Sequence, residues 1–228
     1  MKELGFVEPM SRAKIKVKCI LMDLDGTIFD SRRAYLEAAK RAFAATGAET
    51  FDVTLVTEIP KRLEQNLPID DLLHGIETKK FLDVYLETYY STTADKAKPF
   101  QNVEETLRNL VRKAKLALIT RRHVPCKEVI QELEKFHLAQ HFQQVITALD
   151  TRNPKPSPEA LIKCLQKLKC EASSCLIVGD SVVDVRAGKS AGMKTVAVLS
   201  GIYSREELKR ENPDLILESI NQLPDFVE

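Results

Sequence analysis

Two aspartates separated by one leucine, Asp23-Leu24-Asp25-Gly26-Thr27, close an apolar run near the start of the 228-residue chain. Side chains two residues apart on an extended strand end point to the same side, so both carboxylates can address one ligand. Gly26 lets the backbone turn sharply and come close to that ligand, and Thr27 adds a hydroxyl and an N–H. A second apolar run ends at Thr120, whose hydroxyl can hold one phosphate oxygen; Arg121, Arg122 and His123 follow it. In Asn153-Pro154-Lys155-Pro156-Ser157-Pro158, three prolines stiffen the chain around a single ammonium group. A fourth run ends in Gly179-Asp180-Ser181-Val182-Val183-Asp184, which sets Asp184 one turn into the next helix.

Taken singly, each of these has a plainer role: a polar strand terminus, a surface loop, a solvated lysine, a helix capped by Asp180. Taken together they hold four carboxylates, one lysine and one hydroxyl. Clustered carboxylates raise one another's pKa, and one lysine does not balance four of them. A hard divalent cation with oxygen ligands does, and magnesium suits a site that also binds phosphate.

The elements that must position these groups alternate. Apolar runs of strand length lie at 17–22, 116–119, 144–146, 175–178, 195–199 and 215–217. Their near-continuous apolar character suits a parallel sheet buried on both faces. Helical patterns lie at 103–113, 125–136, 157–169, 182–191 and 204–211, several of them bounded by Pro, Ser or Gly. The expected fold class is α/β: a Rossmann-like three-layer core with right-handed crossovers. In such a sheet ligands bind beyond the carboxyl ends of the strands, where all four segments lie.

Residues 31–98 break the rhythm. They read as helices at 31–46, 60–67, 70–75 and 78–90, a small α-helical cap domain inserted after the first strand. Phe81, Tyr85 and Tyr89 recur at i, i+4 and i+8, one face of a helix, and are read as its core. The expected organisation is a flexible tail at 1–14, a core at 15–30 and 99–228, and the cap between, with hinges near 29–31 and 97–100.

Lys and Arg number 34 against 33 Asp and Glu, a net charge of +1, so composition points to neither a nucleic-acid nor a membrane partner. No apolar run approaches the ~20 residues that span a bilayer, and the first 18 residues lack a signal-peptide core. The expected location is the cytoplasm. Five cysteines without a CxxC pair suggest neither a disulfide framework nor a zinc knuckle. They read as small buried hydrophobes in a reducing compartment, with Cys170 and Cys175 as a lesser candidate redox pair.

The segments DLDGT, Thr120, Lys155 and GDSVVD, in that order, resemble the haloacid dehalogenase-like hydrolases, in the phosphatase branch with a helical cap and nearest its phosphoglycolate phosphatase-like group. The likeness covers about residues 17–224. It implies a small phosphorylated metabolite as substrate and Mg2+ as cofactor. Asp23 corresponds to the nucleophile that forms an aspartyl-phosphate, and Asp25 to the acid/base. Thr120 and Lys155 would hold the phosphoryl group. Asp23, the backbone carbonyl of Asp25 and Asp180 would bind the metal, with Asp184 behind them. Arg121-Arg122-His123 departs from the family, where small or amide residues more often follow the threonine. The arginines, Arg121 first, stand as ligands for an additional anionic group on the substrate or as solvated loop residues; His123 is read as structural or exposed. Asp25 argues against a dehalogenase. It also argues against phosphonate hydrolysis, which needs a cap lysine such as Lys61, Lys79 or Lys80. A phosphomutase of the same fold and a non-catalytic phosphate-binding protein remain the alternatives, and the oligomeric state is open.

Overall fold

The computed structural model describes residues 14–48 and 50–228. The expected tail at 1–14 therefore lies almost wholly outside the described residues. Six parallel strands form the central sheet: β1 (Cys19–Met22), β4 (Lys115–Ile119), β5 (Gln144–Ile146), β6 (Cys175–Gly179), β7 (Lys194–Val198) and β8 (Leu215–Leu217). Their order is β5-β4-β1-β6-β7-β8. The chain thus builds outward from β1 on one side, then returns and builds outward on the other. The central strand β1 pairs with both β4 and β6, Met22 facing Leu118 and Val178.

Alternate residues of these strands feed two faces. Ile20, Met22, Leu116, Leu118, Leu176 and Val178 pack beneath α4 (Val103–Leu110) and α5 (Cys126–Glu134). Cys19, Leu21, Ala117, Ile119 and Ile177 pack beneath α6 (Glu159–Leu168) and α7 (Val182–Ser190). Both sets are buried, which explains the unbroken apolar runs. A short helix α8 (Arg205–Arg210) covers the β7–β8 side.

The helical insertion follows β1. It comprises α1 (Arg32–Ala45), α2 (Leu55–Glu64) and α3 (Thr78–Lys96), held by a separate core of Ala34, Ala38, Phe43, Ile59, Phe81 and Tyr85. Its two crossings pair with each other: β2 (Phe29–Asp30) runs antiparallel to β3 (Lys98–Pro99).

Three helices of the insertion differ from expectation, and the one expected at 78–90 runs six residues further, to Lys96. The one expected at 60–67 starts five residues earlier, with Pro60 inside it. Burial of Val56, Ile59 and Pro60 on one face outweighs the backbone bond that proline cannot make to Val56. The one expected at 70–75 is a single 3₁₀ turn over Asp70–Leu72, and Gly75 adopts a positive φ soon after it. Among the described residues, no helix is long and apolar enough to cross a membrane.

Candidate active site

Asp23 is the first residue beyond β1, and its N–H donates to the Val178 carbonyl at 2.9 Å, so the neighbouring strand fixes where its side chain starts. Lys155 reaches it from the proline-rich loop before α6. The ammonium group is 2% exposed and donates to Asp23 Oδ1 at 2.5 Å, Asp184 Oδ1 at 2.6 Å and the Ile119 carbonyl at 3.0 Å. All three of its N–H bonds are used, so it stays charged. Burial opposes that charge, but Asp184 and Asp23 outweigh it and lift its pKa above the lysine range.

Asp184 sits at the third position of α7 and accepts from the Ser181 N–H at 3.3 Å, while the Ser181 hydroxyl accepts from the Val183 N–H. Ser181, not Asp180, is the N-cap, which frees the Asp180 carboxylate to face Asp23. Asp23, Asp180 and Asp184 each offer an oxygen within 4.8 Å of the others. Burial raises Asp23 to about 8, with Asp184 and Asp25 adding to it and Lys155 offsetting only part. Burial likewise raises Asp180, with Asp23 adding to it. Three carboxylates around one ammonium group are a donor set that calls for a further cation, and hard oxygen ligands fit a hard divalent one.

Glycines make this cluster possible. A Cβ on Gly179 would lie 2.2 Å from Asp184 Oδ2, and one on Gly201, in the loop after β7, 1.7 Å from Asp180 Oδ2. Thr27 donates to Asp180 Oδ1 at 3.4 Å, and the Ser200 hydroxyl to the Gly26 carbonyl at 2.7 Å.

Asp25 faces the other way. Its carboxylate accepts a two-pronged pair from Arg122, Nε to Oδ2 at 2.7 Å and Nη2 to Oδ1 at 2.6 Å, and a hydrogen bond from the Ser31 hydroxyl. The third nitrogen of Arg122, Nη1, donates to Glu132 of α5. Burial would raise the Asp25 pKa, but Arg122 overrides it and holds the group below the usual carboxylate range. Arg122 is therefore no solvated loop residue: it is 5% exposed and each of its three side-chain nitrogens donates to a carboxylate. Thr120 Oγ1 accepts from the Arg122 N–H at 3.1 Å. Arg121 turns into the cavity; its Nη2 donates to the Leu63 carbonyl of the insertion at 3.4 Å, and its Nη1 is buried with no partner among the described residues. His123 is exposed, as expected.

The cavity over these groups measures about 270 Å³. Asp23, Asp25, Thr120, Arg121, Lys155 and Asp184 line it from below, and Tyr35, Leu63, Glu64, Tyr85 and Tyr89 of the insertion from above. Tyr85 and Tyr89 thus serve both as core of the insertion and as cavity wall, and the Tyr85 hydroxyl has no partner among the described residues. Glu64 accepts from the Ser181 hydroxyl at 2.8 Å and from Tyr203 at 3.2 Å, so a fifth carboxylate closes the joint. Its surroundings raise it to about 7, burial being the main cause. The lysines of the insertion stay outside the cavity: Lys61 pairs with Glu207 at 2.8 Å, and Lys79 with Asp83 at 2.6 Å.

Sequence reasoning missed Glu64, Glu132, Gly201 and the pairing of Arg122 with Asp25. Helical periodicity in 55–64 could have placed Glu64 at the open end of α2. Nothing local marks the other partnerships, which join segments far apart in the chain.

The chain belongs to the haloacid dehalogenase-like hydrolase family, whose pattern it matches over residues 20–198. It is 29% identical to the phosphoglycolate phosphatase of Vibrio parahaemolyticus serotype O3:K6 over 221 residues, 92% of this chain and 96% of that one. It is 30% identical over 216 residues to a provisionally named pyrophosphatase, PpaX, of Caldanaerobacter subterraneus subsp. tengcongensis, 92% of this chain and 94% of that one. A haloacid dehalogenase-like family hydrolase of Streptococcus pneumoniae shares the fold, with a TM-score of 0.75 at 17% identity over 91% of this chain and 96% of that one.

Proposed function

We propose that this protein is a magnesium-dependent phosphatase that hydrolyses a small phosphate monoester through a phosphorylated Asp23. The observation that carries the reading is Asp23 at the end of β1, held by Lys155 at 2.5 Å, with Asp25 two residues on and Thr120 on the same cavity wall. A carboxylate attacks phosphorus and divides one hard displacement into two. Lys155 fixes the attacking oxygen, and Thr120 and Lys155 hold the phosphoryl oxygens. Asp25 protonates the departing oxygen, then takes a proton from the water that attacks the phosphoryl-aspartate. Paired with Arg122, Asp25 is ionised and suited to the second task, so the first requires that pair to open and the carboxylate to take up a proton from solvent before it gives one to the departing oxygen. Asp23, Asp180 and the Asp25 backbone carbonyl would hold magnesium, with Asp184 supporting them; the ion when bound neutralises charge on the phosphoryl oxygens.

Arg121 binds an anionic group of the substrate beyond the phosphoryl oxygens. Its partnerless Nη1 supports this, as does a cavity of about 270 Å³, the size of a short metabolite rather than a polymer. A phosphoglycolate-like molecule meets both requirements, and relatives carry that name. The insertion opens for entry and release, bending at the β2–β3 pair. Free thiols at all five cysteines support a cytoplasmic location.

The test is magnesium-dependent phosphate release from a panel of phosphorylated metabolites. Wild-type protein should turn over short anionic esters, and Asp23→Asn should abolish the activity. Activity retained in Asp23→Asn refutes the assignment.

A further inference from the structure

At the ends of the strands opposite the phosphate cavity, Cys19 of β1 faces Cys175 of β6 in register. Both side chains are fully buried on the face covered by α6. The loop leaving α6 brings Cys170 against them, and the three sulfurs all lie within 4.8 Å of one another. Cys170 is half-buried and opens onto a surface depression shared with Lys18, Lys115 and Lys169. Packing alone asks only for small apolar side chains here; it does not ask three separate segments to bring sulfurs together.

We propose that Cys19, Cys170 and Cys175 form a binding site for a soft, thiophilic d10 cation of the zinc or copper(I) class, separate from the magnesium-binding carboxylates. Such cations prefer thiolate sulfur at about 2.3 Å, which spaces three ligating sulfurs about 4 Å apart. The observed spacing needs only small side-chain rotations to reach that. The present contacts of the thiols are weak ones, Cys175 to the Glu171 carbonyl at 3.2 Å and Cys170 to the Leu168 carbonyl at 3.5 Å. Each thiol gives its proton to solvent as the ion binds. Three thiolates on a divalent ion leave one negative charge, which Lys115 beside Cys170 offsets. The open side of Cys170 is the way in and leaves room for a water as fourth ligand. A disulfide would use two of the sulfurs and leave the third idle.

The probe is cadmium, titrated into the full-length, reduced, chelator-stripped protein with magnesium in excess. We expect one equivalent to bind with the ultraviolet thiolate-to-cadmium charge-transfer band, zinc to displace it, and the melting temperature to rise as the ion ties β1, β6 and the loop together. Cadmium on carboxylates gives no such band. Cys170→Ser, a loop change that leaves both strands intact, should weaken binding by about tenfold or more. Cys126→Ser, whose thiol stands apart against the Val145 carbonyl, should not. Absence of the band, an unchanged cadmium affinity in Cys170→Ser, or a disulfide among the three in protein purified with reductant overturns the proposal.

Discussion

The guanidinium of Arg122 grips Asp25 with two nitrogens and Glu132 with a third, while Arg121, one residue earlier, keeps Nη1 partnerless over the cavity. Truncating each should therefore fail differently. Arg121→Ala leaves no buried charge behind, so folding should be unchanged; KM for a short anionic ester should rise about tenfold, with kcat altered far less. A drop in kcat with KM unchanged would contradict a substrate-binding role. Arg122→Ala strands Glu132, 6% exposed, without its cation. Unfolding free energy should fall by ~3–5 kcal/mol in denaturant titrations. Arg122→Ala combined with Glu132→Gln should recover part of that loss; equal losses in the single and double variants would show that the buried charge is not the cause.

At the scale of elements, the strand ends and the cap of α7 set the donor geometry, and two glycines leave room for it. Gly201→Ala would drive a methyl group into Asp180, 1.7 Å from Oδ2 and 2.5 Å from its Cβ. The carboxylate must swing away, so the magnesium concentration needed for half-maximal activity should rise, about tenfold or more, with the circular dichroism spectrum unchanged. An unaltered magnesium requirement would mean that Asp180 is not a ligand. Much of this arrangement was legible in the sequence because each chemical group directly follows an apolar run or opens a helix, as Asp23, Thr120 and Asp184 do. Parallel pairing then brings the ends of such runs to one edge. What the sequence hid has a common physical cause: partnership between side chains on different elements. Glu132 looks like an ordinary polar position of α5, and only the packed structure shows it beneath Arg122. Cys19 likewise joins Cys175 through strand register, which no spacing of cysteines along the chain expresses. The early start of α2 was hidden for another reason: the helix expected from residue 60 begins at Leu55, because burial of Val56, Ile59 and Pro60 carries it through the proline.

For the molecule as a whole, the acidic pocket couples stability to pH. Glu64 moves from an ordinary 4.5 to about 7 and Asp23 from 3.8 to about 8 in the metal-free fold. Between the lower and upper values the folded chain holds protons that the unfolded chain has released, so stability falls as pH rises through that window. Metal-free protein should thus be more stable near pH 5 than near pH 8 in denaturant titrations, and Glu64→Gln should flatten the slope below about 7. Magnesium should restore stability at the upper end by replacing those protons. A metal-free protein whose stability climbs steadily from pH 5 to pH 8 would contradict the assigned shifts. The two crossings between sheet and insertion have a separate consequence. Because Phe29 lies beside Pro99 and Asp30 beside Lys98, the insertion leaves and rejoins the sheet domain at practically the same point. Whatever chain is spliced between those two pairs meets an unchanged doorway, so a lineage can trade one roof for another, and with it one diet of esters for another, while the reactive floor stays as it was.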